Sequence, residues 1–114
     1  MEKIRIIITD DHQLFRNGLK ILLNAFPDFE VVGEALNGHE FIEIIKNTNA
    51  EIALMDINMP EMDGIEATRR GLKINPHINV IALSMYGEEE YYYKMIDAGA
   101  KGFLGSFRRF ADQL

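Results

Sequence analysis

The stretch RIIITDDH, residues 5–12, runs three isoleucines and a threonine into two adjacent acids. Ile and Thr are β-branched and favour strands. Successive side chains of a strand point to opposite faces, so this run is apolar on both. A strand of that kind is covered by helices above and below, as in the middle of a parallel sheet. Asp10 and Asp11 then stand together at its carboxyl end.

Working outward, EIALMD (51–56) and INVIALS (78–84) have the same two-faced apolar character and read as central strands. FEVVGEA (29–35) alternates partly through Glu30 and Glu34, which suits an edge strand, and the short, glycine-bounded GFLG (102–105) suits the other edge. Between these runs, apolar residues recur at helical spacing: Leu14, Phe15, Leu19, Leu22, Leu23 and Phe26; Phe41, Ile42, Ile44 and Ile45; Ile65, Thr68 and Leu72; Tyr92, Met95 and Ile96. Strand and helix in alternation predict an α/β fold with a parallel sheet. With right-handed crossovers, the economical solution is a doubly wound, flavodoxin-like five-stranded sheet of order 2-1-3-4-5 with helices on both faces. The tail FRRFADQL (107–114) leaves room only for a short or truncated fifth helix, with Phe107, Phe110, Ala111 and Leu114 as its apolar stripe.

Composition sets outer bounds. The 114 residues fit one domain. They include no cysteine, which excludes disulfides and thiolate metal sites. Twelve basic against eighteen acidic residues give a formal charge of −6, unfavourable for a phosphate backbone, so no nucleic acid is expected to bind this domain itself. No apolar run is long enough to cross a bilayer, and the N-terminus lacks the pattern of a secretory signal. A cytoplasmic protein without membrane contact is expected.

The 2-1-3-4-5 order reverses between strands 1 and 3, and ligands of such sheets bind beyond the strands' carboxyl ends at that point. Asp10 and Asp11, Asp56 and Ser84 all fall there. Taken alone, Asp11 reads as a cap for the helix starting near His12, and Asp63 as a cap in the turn NMPEMDG (58–64). Taken as a set, three carboxylates at neighbouring strand ends repel one another unless a cation sits among them. Oxygen donors select a hard divalent ion, Mg²⁺ foremost. His12, His39 and His77 are scattered without zinc-ligand spacing and read as surface or capping residues. A carboxylate beside such a metal can accept a phosphoryl group. Asp56, at the end of the most central strand, is the best acceptor, and the Ser84 hydroxyl can hydrogen-bond a phosphoryl oxygen.

DDHQLFRNGL (10–19), VVGEALNG (31–38), LMDINMPEMDGIEATR (54–69), VIALSMY (80–86) and DAGAKGFL (97–104) together resemble the receiver domains of bacterial two-component response regulators, particularly the NarL/LuxR type. The resemblance implies that Asp56 is phosphorylated by a sensor histidine kinase. It also implies that Asp11, Asp56 and the backbone carbonyl of Asn58 hold Mg²⁺, with Asp10 helping through water. Ser84 would follow the phosphoryl group, Phe103 would be the aromatic switch residue, and a homodimer would be within the family's repertoire. The intact protein would be a DNA-binding transcription regulator whose output domain lies outside these 114 residues.

One departure stands out. Where the family carries a lysine at the end of strand 5, this chain has Ser106. Lys101 lies five residues earlier, roughly 16 Å away at about 3.3 Å per residue, and Arg108 or Arg109 would have to reach back from a loop. Loss of that cation motivates a second expectation, a phosphorylation-deficient receiver acting as a constitutive dimerisation module. A third, a small Mg²⁺-dependent aspartyl-phosphate phosphatase, lacks an evident substrate pocket. The helix after EEE (88–90) is expected to carry acids in its first turn, with Tyr92 inward and Tyr91 or Tyr93 available to a partner.

Overall fold

Ile7, Ile8, Ala53, Met55, Val80 and Ala82 have no solvent exposure, and these residues belong to the three central strands. A computed structural model of the chain describes residues 2–83 and 89–104. The strands are β1 (Ile4–Thr9), β2 (Phe29–Ala35), β3 (Ile52–Asp56), β4 (Asn79–Leu83) and β5 (Gly102–Phe103). They form one parallel sheet in the order β2-β1-β3-β4-β5, as the apolar patterning predicts. The helices are α1 (Gln13–Asn24), α2 (Gly38–Asn47), α3 (Gly64–Ile74) and α4 (Tyr92–Ala98).

The sheet is buried on both faces by alternate residues. Ile7, Ala53, Met55, Val80 and Ala82 join the cluster that holds Phe41 and Ile45 of α2, Ala67 of α3 and Met95 of α4. Ile6, Ile8, Leu54 and Leu83 join Leu19 of α1 on the other side. Each fully buried aliphatic or aromatic side chain contributes about 1.5–3 kcal/mol, so these two layers hold the sheet rigid behind the strand ends. β2 is an edge, and its pairing with β1 slips between Ile6 and Ile7, where Val32 is passed over. Such a bulge is common at sheet margins.

Gly71 lies inside α3, where glycine ordinarily costs helix stability. The reason here is packing: a Cβ at Gly71 would stand 2.7 Å from Cε2 of Phe41, so the missing side chain lets α3 close against α2.

The structure differs from expectation at the edges of elements. α4 begins only at Tyr92, after a 3-10 turn over Glu89–Tyr91, so the acids precede the helix and none occupies its first turn. Tyr93 is 86% exposed, whereas Tyr91 packs against the core, which leaves Tyr93 as the tyrosine open to a partner. Leu14 of α1 and Ile96 of α4 are exposed despite their helical spacing, because each lies beyond the arc facing the sheet. Among the described residues β5 covers Gly102 and Phe103 of the expected GFLG, whose Gly105 lies outside them, and Lys101 and Leu104 donate backbone hydrogen bonds to Val80 and Ala82 on either side of it. Ser84, Ser106, Arg108, Arg109 and the tail stripe fall outside the described residues. No described helix is long and apolar enough to cross a membrane.

Candidate functional site

Strand register places the site. Ala35, Thr9, Met55, Ala82 and Phe103 form one row across the sheet. Asp56, paired with Leu83, stands one step further toward the carboxyl end, and Asp10 follows Thr9 at the same level. Both acids are interior, Asp10 fully buried and Asp56 at 1% exposure. One ligand atom from each of Asp10, Asp11, His12 and Asp56 lies within 4.8 Å of all the others. The three acids expected to converge therefore do so.

His12 is exposed, as expected of a surface residue, but it also joins the acid cluster from which the sequence reading set it apart. Its Nδ1 is 3.0 Å from Oδ1 of Asp10 and 3.1 Å from Oδ1 of Asp11. The physical cause is a turn that periodicity does not reveal. The backbone N–H of His12 donates to Oδ1 of Asp10 at 2.8 Å, an Asx-type turn that folds the chain back over the acid pair. His12 also occupies the N-cap position of α1, without a side-chain cap bond. The simple capping role for Asp11 is thus not realised; the acid that closes the turn is Asp10. Asp63 does cap α3, accepting from the N–H of Glu66 at 2.9 Å, and His39 and His77 lie on the surface.

Asp10 is held on every side of its backbone. Its N–H donates to the carbonyl of Ala35 at 3.0 Å, tying the end of β1 to the end of β2. Its carbonyl accepts from Nη1 of Arg16, a residue of α1 that is 8% exposed. Nε of Arg16 in turn lies 3.5 Å from Oε1 of Glu34, an ion pair rather than a hydrogen bond at that distance, and Nζ of Lys20 donates to Oε2 of the same carboxylate at 2.7 Å. The sequence offered no reason to single out Arg16, because its partners lie six and eighteen positions away on two strands' ends.

Asp56 is fixed from beneath by the loop that follows it. Ile57, Met59 and Met62 are buried and anchor that loop, and the N–H of Gly64 donates to the carbonyl of Ile57 at 2.8 Å. The first turn of α3 therefore presses on the end of β3. Asn58 is exposed in the same loop. Phe103 of β5 is half-buried, with its ring centroid 4.3 Å from that of Tyr92 and the planes tilted by 36°.

The donor set fits a hard divalent cation. Three carboxylates, two of them interior, supply the oxygen ligands that Mg²⁺ prefers, and the cluster is compact enough to share one ion. When bound, such an ion would neutralise negative charge gathering on oxygens above Asp56.

Comparison with known proteins agrees with this geometry. Residues 6–105 match the model of the response regulator receiver domain. The transcriptional regulatory protein DegU of Brevibacillus brevis is 43% identical over 102 residues, covering 90% of this chain and 43% of that protein. The chain thus spans less than half the length of this relative. The signal receiver domain of the response regulator NarL from Mycobacterium tuberculosis superposes with a TM-score of 0.83 at 35% identity, covering 91% of this chain and 84% of that one. A CheX-CheY-BeF3-Mg²⁺ complex from Borrelia burgdorferi matches with a TM-score of 0.83 at 27% identity, covering 91% of this chain and 78% of its counterpart. With its five strands in receiver order and its acids at their ends, the chain belongs to the response regulator receiver domains of two-component signalling, of the NarL/LuxR type.

Proposed function

We propose that the chain accepts a phosphoryl group on Asp56 from a sensor histidine kinase, in a reaction that depends on Mg²⁺. The observation that carries this reading is the convergence of Asp10, Asp11 and Asp56 on a single point at the end of the central strand. A carboxylate oxygen of Asp56 attacks phosphorus; the bond from phosphorus to the kinase's imidazole nitrogen breaks, and its electron pair returns to that imidazole. Asp11, Asp56 and the Asn58 carbonyl would hold the ion, with Asp10 helping through water. The Borrelia neighbour, a complex that contains BeF3 and Mg²⁺, supports Mg²⁺ as the ion.

Ser84 is assigned the hydrogen bond to the transferred group, and Phe103 the rotamer change that reports it. The half-buried position of Phe103 against Tyr92 supports that role, since a rotation of one ring displaces the other. Phosphorylation then shifts a two-state population through its new charge. In the intact protein the output is a DNA-binding domain beyond this one, in keeping with the regulatory name of its Brevibacillus relative. The protein acts in the cytoplasm, and a homodimer is one form open to it.

The test is intact-mass measurement after incubation with Mg²⁺ and acetyl phosphate, for wild type and Asp56→Asn. A labile adduct on wild type alone is the expected result. No adduct on either would favour the second reading, motivated by Ser106, in which the domain signals by constitutive dimerisation without phosphorylation.

A further inference from the structure

The buried guanidinium of Arg16 is a cation–backbone clamp that reaches the acid pocket from outside it. A charged group at 8% exposure is costly to bury unless it is well partnered. Here the partners are the Asp10 carbonyl and the Glu34 carboxylate, one at the end of β1 and the other at the end of β2. Lys20 braces Glu34 from the far side. The planar, forked guanidinium can serve two acceptors at once, which a lysine ammonium on a single stem cannot do with the same geometry.

The Asp10 carbonyl belongs to the peptide that joins Asp10 to Asp11. A peptide unit is rigid and planar, so fixing its oxygen also fixes the Asp11 nitrogen and Cα; the His12 N–H, held by Oδ1 of Asp10 at 2.8 Å, restrains the next peptide, and the two together set the direction in which the Asp11 side chain departs. The Asp10 N–H is fixed separately by Ala35. We propose that Arg16, backed by Glu34, is a positioning residue for the cation site: it sets the Asp10–Asp11 peptide so that the Asp11 carboxylate meets Asp56. The proposal rests on the Mg²⁺ reading of the pocket. It gives Arg16 a role in metal affinity in addition to its part in holding α1 on the sheet.

Outer partners that orient metal ligands typically control affinity by tenfold or more. The experiment is calorimetric titration of Mg²⁺ into the full chain, at a temperature where circular dichroism shows each variant folded. Arg16→Ala is expected to raise the Mg²⁺ dissociation constant about tenfold. Arg16→Lys, which keeps one contact of the two, should fall between Arg16→Ala and wild type. Leu19→Ala is the structural control: it removes a buried side chain from the same helix, lowers stability, and should leave the dissociation constant within about twofold. Should Arg16→Ala fail to fold, Glu34→Gln loosens the same clamp from its other end and is expected to raise the constant by about threefold, a part of the full outer-partner effect.

A dissociation constant unchanged in Arg16→Ala, or in Glu34→Gln if that variant is used, overturns the proposal. Equal changes in Arg16→Ala and Leu19→Ala overturn it as well, since Arg16 would then act only through helix stability. If wild type itself shows no Mg²⁺ binding, the metal reading of the pocket falls, and the positioning role falls with it.

Discussion

The backbone of Gly64 stands so close to that of Asp56 that a Cβ on Gly64 would lie 2.0 Å from the Asp56 carbonyl oxygen. No side chain fits there, and the obstacle is backbone rather than a flexible tip. The first residue of α3 thereby serves as the floor under the acceptor. Gly64→Ala is expected to destabilise the fold by about 1–3 kcal/mol through overpacking, read by urea denaturation. The same substitution should slow adduct formation with acetyl phosphate, because Asp56 is displaced to make room.

Gly71 makes the opposite of the usual helix prediction. Replacing an interior helical glycine by alanine ordinarily gains about 1 kcal/mol. At Gly71 the new methyl meets the Phe41 ring at 2.7 Å, so Gly71→Ala should instead lose about 1 kcal/mol or more. Phe41→Leu in the same chain should recover part of that loss, and a double-mutant cycle measures the coupling.

The acid cluster is expected to cost stability when no metal is present. Three carboxylates crowded within 4.8 Å repel one another. Asp56→Asn should therefore raise the stability of the Mg²⁺-free protein by about 1–2 kcal/mol, the trade between function and stability common at such sites. Mg²⁺ at a hundred times its dissociation constant should stabilise wild type by about 2.7 kcal/mol by mass action, and Asp56→Asn by much less. Thermal melts with and without Mg²⁺ measure both effects.

The tyrosines of α4 should separate by burial. Tyr93, 86% exposed, can be replaced by Ala within about 0.5 kcal/mol. Tyr92 stacks on Phe103, so Tyr92→Leu should lose about 0.5–1.5 kcal/mol beyond its change in buried area. Chemical denaturation of the two variants side by side checks the difference.

What could be read from the chain before its fold was known follows the range of the forces involved. The strand order was legible because burial on both faces leaves an unbroken apolar run in β1, β3 and β4, and that order alone brings Asp10 and Asp56 to one edge. The cap at Asp63 was legible because its partner, the N–H of Glu66, is three residues away. Arg16, Gly64 and Gly71 were not, since each acts on a residue of another element: the Asp10 carbonyl, the Asp56 carbonyl and the Phe41 ring. His12 was legible as a surface residue at the start of α1, but its entry into the cluster was not, because that depends on a local turn closed by the Asp10 side chain, with no periodic signature. Adjacent acids at the end of a buried strand, followed directly by a histidine, are the sequence feature that could have suggested it.

The most direct test of the central claim locates the phosphoryl group. The protein is treated with acetyl phosphate in Mg²⁺ or in EDTA, the acyl phosphate is reduced with borohydride, and the modified position is identified by peptide mass mapping. Modification at residue 56 alone, present in Mg²⁺ and lost in EDTA, is the expected result. Modification at another acid, or at Asp56 to the same extent without the metal, would contradict it.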